Sequence, residues 1–329
     1  MIPVIVLTGQ LGAGKTTLLQ RLLASPAMAG TAVLVNEFGE IGLDHELLTP
    51  LEGEVTLLRS GCICCTVRDD IAGAIRDLID RAARGQIPAL ARIVIETTGL
   101  ADPFPVLSTL SADPVLRSQV APGGVITVVD AINGPGALFD DHGMARRQVA
   151  AADVIALAKR DLSGPETTKR TLDRLHRLNP VAQLSFADAP LHRLLPQGPR
   201  DWPAPPPDSV VPITGHHHHE LDGIRTLTIA RPGAINWTAF GLWLTALLQR
   251  HGDRIHRVKG VLEVEQGGPP VLVNGVGYLV HPPQHLAAWP EGVPHTRLVF
   301  IFEGLDPDLI RRSFEAFDRL GHAVAPLPG

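Results

Sequence analysis

Cysteine is scarce in this chain of 329 residues, which contains only three. All three lie within four positions, as Cys62, Cys64 and Cys65. An odd number of cysteines at such short spacing argues against a disulfide framework and favours metal binding in a reducing compartment. A redox dithiol and three inert buried thiols remain as alternatives.

The chain also lacks a basic cluster and a long apolar segment. Its formal net charge is -5 and no dense run of Lys and Arg occurs, so nucleic acid is not an expected partner. The longest uncharged apolar helical pattern, near residues 237–248, is too short to cross a bilayer. The first residues have no basic flank and lead directly into a glycine-rich loop, which indicates a buried strand and not a signal peptide. We therefore expect a cytoplasmic protein that does not associate with membranes.

Short apolar runs rich in β-branched residues recur at residues 2–7, 32–35, 92–95, 125–129, 154–157 and 181–186. Helical patterns lie between several of them, and the clearest covers residues 67–84, with Thr66 as the expected N-cap and Gly85 as the stop. This alternation predicts an α/β fold: a doubly wound, mainly parallel sheet covered by helices.

A proline-rich stretch between residues 190 and 215 interrupts this pattern and ends in four consecutive histidines, His216 to His219. Strand patterns then appear at residues 226–230, 257–264, 271–280 and 297–302, and helical patterns at 237–250 and 307–320. We predict a P-loop domain at residues 1–190, a linker at 191–220 and a smaller α+β domain at 221–329. The histidines are either a solvated part of the linker or a metal-loading tract.

Residues 9–16, GQLGAGKT, match the GxxxxGKT phosphate-binding motif between a predicted strand and a leucine-faced helix. The chemistry explains the spacing, because glycines let backbone N–H groups approach phosphates closely. The expected phosphate cradle consists of Gly9, Gly12, Ala13 and Gly14. Lys15 would bring positive charge to the β and γ phosphates, and the Thr16 hydroxyl would bind Mg²⁺.

Two later strand ends carry polar residues that suit a nucleotide. Glu96 could hold the Mg²⁺ shell directly or through water, and the Gly99 N–H could sense a γ-phosphate. After a later strand, Asp161 could accept hydrogen bonds from guanine N1 and N2, while the Lys159 stem packs along the base.

The cysteine cluster precedes the predicted helix at residues 67–84, and the partial positive charge of a helix N-terminus stabilises thiolates. Three thiolates leave the fourth position of a tetrahedral ion to a carboxylate, a histidine, water or a partner. Structural zinc sites usually have four protein ligands, so an incomplete set indicates metal transfer or exchange.

Together these segments resemble the CobW-type metallochaperone GTPases, which belong to the SIMIBI class of P-loop proteins. The matching segments are GQLGAGKTT at 9–17, NEFGEIGLD at 36–44, GCICC at 61–65, ETTGLADP at 96–103 and ADVI at 152–155, which leads to Lys159 and Asp161. In the second domain, RVKG at 257–260 and RLVFIF at 297–302 are similar to the C-terminal module of that family. One departure is Ala158, where that family has Asn, Ser or Thr.

The resemblance implies roles for individual residues. Residues 9–17, Thr17 included, would bind GTP, and the three cysteines would bind the delivered metal. Glu37, Glu40 and Asp44 are candidates for a supplementary metal ligand or for positioning the attacking water. The candidate catalytic residues are Lys15, Thr16, Glu96 and Glu37.

We therefore expect a GTP-hydrolysing chaperone that passes Zn²⁺ or Co²⁺ to a client metalloprotein, with GTP and Mg²⁺ as its other ligands. A monomer and a homodimer that depends on metal or nucleotide are both compatible with the sequence. Two other functions remain open. One is a P-loop kinase for a small substrate, and the other is a metal buffer or client-binding module with incidental hydrolysis.

Overall fold

The structure is a computed structural model that describes residues 1–36, 56–60, 68–137, 143–196, 219–221, 223–265, 268–290 and 295–323. The chain divides into two compact units: Met1–His176 with Ala182–Gln197, and Arg177–Val181 with Gly198–Gly329. The domain boundaries at residues 190 and 220 stay a prediction. Most of the predicted linker, including His216, His217 and His218, lies outside the described residues.

The first unit contains a seven-stranded sheet in the order β3-β2-β4-β1-β5-β6-β7. All pairings between its described strands are parallel. Its strands are β1 (Ile2–Gly9), β2 (Thr31–Asn36), β3 (Thr56–Ser60), β4 (Arg92–Glu96), β5 (Val120–Asp130), β6 (Val154–Ala158) and β7 (Gln183–Phe186). The predicted doubly wound parallel fold is confirmed.

Seven helices of this unit are described: α1 (Lys15–Leu23), α2 (Arg68–Ala83), α3 (Phe104–Ala112), α4 (Pro114–Gln119), α5 (Gly134–Ala137), α6 (Met144–Ala151) and α7 (Pro165–Leu178). Gly85 follows α2 with φ 69°, and its N–H donates to the Ala82 carbonyl, as expected for a glycine stop. Asp113 accepts from Val115 N and Leu116 N at the start of α4 and pairs with Arg76. The hydrogen bond from Leu116 N is the main reason that the pKa of the Asp113 carboxyl is lowered.

The core of the first unit explains why the strand patterns are continuous and not alternating. Every residue of β6 is buried, and so are all four residues from Ile93 to Glu96 in β4. Parallel strands with both faces covered are apolar throughout. The largest buried side chains around β1 and α1 are Leu7, Leu18, Leu19, Leu22 and Met28.

The second unit contains an antiparallel sheet in the order β12-β11-β10-β14-β9-β8, with β13 paired to β11. Its strands are β8 (His219–Leu221), β9 (Ile224–Arg231), β10 (Ile255–Leu262), β11 (Val271–Val276), β12 (Leu279–Val280), β13 (Gln284–His285) and β14 (Thr296–Glu303). Helices α8 (Trp237–His251) and α9 (Pro307–Ala323) complete this unit.

Trp243 of α8 is the centre of the second core. Its ring meets Phe300 of β14 and Phe314 of α9 edge-on, with centroids 5.8 and 5.1 Å away. Its Nε1 donates to Ser313 Oγ at 2.9 Å, so the one polar atom of the indole is satisfied. The two helices are therefore fixed to the sheet through one aromatic cluster.

The sequence-based strand assignments need correction in two respects. The single strand predicted at residues 271–280 is wrong, because Gly277 has φ 58° and turns the chain from β11 into β12. Strands β3, β8 and β13 were not predicted at all. No helix within the described ranges is both long and apolar enough to cross a membrane.

Candidate functional site

The glycine loop between β1 and α1 can take only glycine at its first position. Gly9 has φ 138°, and a Cβ there would lie 2.2 Å from the Val128 carbonyl oxygen. Gly12 and Gly14 also have positive φ, at 72° and 99°. Gly14 is the N-cap of α1 and supplies no side chain to its first turn. The backbone N–H groups of that turn therefore form the type of concave donor site that binds phosphates.

Lys15 and Thr16 begin α1 and are both buried. Lys15 Nζ donates to the Gln10 carbonyl at 3.1 Å, so the ammonium group folds back over the loop. The Thr16 hydroxyl donates to Glu96 Oε1 at 2.8 Å, and Glu96 is only 4% exposed. A hydroxyl beside a carboxylate offers the hard oxygen ligands that Mg²⁺ prefers. The structure thus brings together the two residues predicted to serve Mg²⁺, and their donor set fits that ion.

The strand register places four chain segments at one edge of the sheet. Leu7 is level with Glu96, Glu96 with Val35, and Val35 with Arg59. The P-loop, the segment after β2, the segment after β3 and the Glu96 loop therefore all leave the sheet at its carboxyl edge. In an open α/β sheet this edge is where ligands bind.

Gly99 lies directly against the glycine loop. A Cβ at Gly99 would be 2.2 Å from Leu11 N, so any larger residue would displace one of the two loops. Thr97, two residues earlier, is also fixed, since its N donates to Leu7 O and its Oγ1 donates to Thr8 Oγ1, both at 2.9 Å. The position of Gly99 suits its predicted role at the γ-phosphate.

Lys159 ties the loop after β6 to the glycine loop. Its Nζ donates to the Gly12 carbonyl at 2.6 Å and to Asp130 Oδ2 at 2.8 Å. Lys159 has φ 57° and is the only non-glycine residue with a positive φ among those described. Such a backbone is strained and persists only when other contacts hold it.

Asp130, at the end of β5, is the acidic partner that holds Lys159 in place. The sequence did not lead us to predict it. It is 6% exposed and also accepts from Ile132 N and Asn133 N. Burial raises its pKa, but the hydrogen bonds from Lys159 and from those N–H groups outweigh burial and hold the pKa below its usual range. An acidic residue directly after a predicted strand was the signal that could have identified it.

A cavity of about 1000 Å³ adjoins the glycine loop on the side of Lys159. Its lining includes Gly14, Thr17, Ala158, Lys159, Asp161, Ser163, Phe186 and Asp188. The structure thus brings Asp161 and Thr17 to one cavity with the phosphate loop. The geometry suits a nucleotide whose base occupies this cavity and whose phosphates reach the loop.

One wall of this cavity comes from β7 and the loop after it. The Arg160 guanidinium lies 4.5 Å from the centre of the Phe186 ring, and its Nη2 donates to Asp188 Oδ2 at 2.6 Å. This hydrogen bond is the main reason that the pKa of Asp188 is lowered. Arg21 of α1 donates to the carbonyls of Asp188 and Ala189 at 2.6 and 2.7 Å, so the wall is joined to the P-loop helix.

The residues predicted to bind the transferred metal, or to supplement that site, lie outside the described part of the chain. These are Cys62, Cys64, Cys65, Glu37, Glu40 and Asp44. Among the residues that the structure does describe, no group of three His, Cys, Asp or Glu side chains could hold a metal ion. The metal site therefore stays a prediction.

Comparison with known proteins agrees with this geometry. The model of the CobW/HypB/UreG nucleotide-binding domain matches residues 3–186. The chain belongs to the CobW/HypB/UreG family. A second model, the cobalamin synthesis protein cobW C-terminal domain, matches residues 224–318. The predicted resemblance is confirmed, and the chain is placed among the GTPases of this family.

Similar proteins of this family align with most of this chain. The zinc chaperone YjiA of Escherichia coli is 31% identical over 319 residues, which cover 95% of this chain and 98% of that protein. The zinc chaperone CobW of Pseudomonas aeruginosa is 31% identical and covers 84% of this chain. The crystal structure of Zn(II)-bound YjiA GTPase superposes with a TM-score of 0.71 at 29% identity, covering 96% of this chain and 98% of that one.

Proposed function

We propose that this CobW-family protein is a GTP-dependent metallochaperone. It binds Zn²⁺ or Co²⁺ through Cys62, Cys64 and Cys65 and passes the ion to a client metalloprotein. GTP hydrolysis changes the affinity of the cysteine site, so that the ion is held in one nucleotide state and released in the other. The names of the relatives YjiA and CobW, both zinc chaperones, support zinc as the first ion to test.

The observation that carries the proposal is the shared carboxyl edge of the sheet. The chain leaves β3 at Ser60, two residues before Cys62, and Ser60 pairs in register with Asn36, one residue before Glu37. Three strand-to-strand steps separate β3 from β1, which is about 14 Å at roughly 4.8 Å per step. The segments that carry the cargo ligands thus start within reach of the γ-phosphate position.

The nucleotide half of the proposal assigns a task to each described residue. The glycine loop binds the phosphates, Lys15 neutralises the β and γ phosphates, and Thr16 with Glu96 holds Mg²⁺. Bound Mg²⁺ would supply charge stabilisation for phosphoryl transfer to water. Asp161 selects guanine in the cavity beside Lys159. Glu37 follows β2 at the same edge and is proposed to position water or to complete the metal site.

The coupling between the two sites needs only a modest free energy. A hundredfold change in metal affinity corresponds to about 2.7 kcal/mol, which is within the usual range for allosteric coupling. Reciprocity requires that the metal change the preference for one nucleotide state by the same factor. A three-thiolate site that gains or loses one more ligand can supply such a difference.

The decisive experiment measures Zn²⁺ and Co²⁺ affinity of the full chain by competition with a chromogenic chelator. Each affinity is measured with GDP and with a non-hydrolysable GTP analogue, in the presence of Mg²⁺. We expect the affinities in the two states to differ at least tenfold, and we expect Cys64→Ser to abolish the difference. Equal metal affinity in both states would contradict the coupling.

Variants of the same chain distinguish the alternative functions. A kinase would transfer phosphate to a small acceptor and would hydrolyse GTP equally well after Cys64→Ser. A simple metal buffer would still load an apo-metalloprotein after Lys15→Ala. For the proposed chaperone, we expect Lys15→Ala to stop metal transfer while leaving metal binding in the absence of nucleotide intact.

A further inference from the structure

Gln148 of α6 is a buried amide next to the nucleotide site that the proposed mechanism does not yet use. It is 1% exposed. Its backbone carbonyl accepts from Thr127 Oγ1 at 2.7 Å, which fixes this turn of α6 to β5. Gln148 also lines a small cavity that reaches Gln10 of the glycine loop and Asp130. The amide therefore lies behind the phosphate end of the site.

The side chain of Gln148 holds the loop after β4. Its Nε2 donates to the Ala101 carbonyl at 3.0 Å and to the Gly99 carbonyl at 3.3 Å. Both hydrogen bonds of the amide nitrogen thus go to one short loop, 47 and 49 residues away in sequence. Within the described chain, Gln148 Oε1 is buried and has no hydrogen-bond partner.

The loop that Gln148 holds is the one that contacts the glycine loop. Ala101 N donates to the Thr98 carbonyl at 3.1 Å and closes a turn. Because a trans peptide directs its N–H opposite to its carbonyl, the Gly99 N–H points away from the interior of this turn. On its other side Gly99 abuts Leu11 of the glycine loop. The orientation of the Gly99 N–H is therefore set by contacts on both sides of the loop.

We propose that Gln148 is a positioning residue that holds the Gly99–Ala101 loop ready to bind the γ-phosphate. It acts through the Gly99 N–H and does not itself touch the nucleotide. Since GDP lacks the γ-phosphate, Gln148 affects the binding of GTP more than that of GDP. The inference rests on the proposed GTP-dependent function, but it concerns only the distinction between the two nucleotide states.

The test compares fluorescent GDP with a fluorescent non-hydrolysable GTP analogue on the full chain with Mg²⁺. In Gln148→Met, a side chain of similar length lacks both donors. We expect the ratio of analogue to GDP affinity to fall about fivefold to tenfold, as for the loss of one to two hydrogen bonds. Thr109→Val is the control, because it removes a buried hydroxyl that donates to Pro105 O in α3, away from this loop.

A second variant makes the test independent of general destabilisation. In Gln148→Glu, an ionised carboxylate would face two carbonyl oxygens with no proton to donate, whereas its protonated form can donate to one of them. We expect the preference for the GTP analogue to be lost at pH 8 and to recover in part at pH 5.5, unlike that of the wild type.

The outcomes separate this inference from the proposed function. If Gln148→Met keeps the wild-type ratio, or lowers both affinities equally, or if Gln148→Glu shows no dependence on pH beyond that of the wild type, the positioning role is wrong. The proposed function is untouched by these results. It fails instead if the wild-type protein does not bind and hydrolyse GTP.

Discussion

At the phosphate end of the nucleotide site, Lys15, Thr16 and Glu96 are each at most 9% exposed, whereas Asp161 and Arg160 at the base end lie on the surface. The phosphate end depends on main-chain contacts so close that Gly9 and Gly99 have no room for a Cβ. The base end depends on a few side chains from the loop after β6 and from the end of β7 with the loop after it. In the proposed assignment, phosphate binding is set by the main chain of the fold, while the choice of base can change with single residues.

The substitution Glu96→Gln should have the largest effect on the phosphate end. Glutamine can still accept from Thr16 but lacks the charge needed beside Mg²⁺, so we expect GTP turnover to fall about a hundredfold. GDP affinity without Mg²⁺ should stay close to that of the wild type. Steady-state phosphate release and titration of fluorescent GDP measure the two quantities.

Two results would change this view of the phosphate end. Unaltered turnover in Glu96→Gln would remove Glu96 from the Mg²⁺ site. A control, Thr16→Ser, retains the hydroxyl and should keep most of the activity, so a complete loss there would indicate that packing, and not the hydroxyl, is decisive.

At the base end, Asp161→Asn should weaken GTP binding about thirtyfold, as for about 2 kcal/mol from hydrogen bonds to a charged group. Binding of xanthosine triphosphate should improve, because its C2 carbonyl can accept from the new amide. Asp188→Asn, a change in the same cavity, is the matched control and should not favour xanthosine. Competition between nucleotides measures these preferences, and equal binding of ATP and GTP by the wild type would contradict guanine recognition.

The smallest effect is expected where the phosphate end meets the base end of the nucleotide site. Asp130→Asn removes the charge that pairs with Lys159, and we expect nucleotide affinity to fall only severalfold. The free energy of unfolding should fall by only about 1 kcal/mol near pH 7. The loss is small because Lys159 is partly exposed and solvent screens its ion pair with Asp130.

The pH dependence of that difference follows from the lowered pKa of Asp130. The stabilisation from the charged carboxylate is present above the pKa of the unfolded state and is lost as the pH falls through the lower pKa of the folded state. The stability gap between wild type and Asp130→Asn should therefore shrink below about pH 4. Chemical unfolding between pH 3 and 7 measures this gap, and a constant gap would contradict the ion pair as its cause.

In the first unit, the sequence predicts most strands that are continuous apolar runs well, and it misses the short edge strand β3. Strands β1, β2, β4 and β6 were found within two residues of their ends, because a strand covered on both faces is a continuous apolar run. Strand β3, with the sequence TLLRS, is short, lies at the end of the sheet and has polar residues at both ends. Such a strand has no periodic signature, and its existence depends on pairing with β2.

The same distinction applies to the site. The phosphate loop and Glu96 were predicted because a local motif encodes the chemistry, and the structure brings Thr16 and Glu96 to 2.8 Å. Gln148 was not predicted, since a single glutamine in a helix has no motif and its contacts are made to a loop nearly 50 residues away. Long-range partners of this type appear only when the packing of α6 is known.

The common carboxyl edge of the parallel sheet also constrains how the proposed cargo site can evolve. Register fixes where the segments after β2 and β3 begin, but it places no limit on their length or composition. Insertions and exchanges at residues 37–55 and 61–67 can therefore accumulate without moving Lys15, Thr16 or Glu96. Under the proposed function, one nucleotide site can in this way serve many sets of metal ligands, each of which begins near the proposed γ-phosphate position.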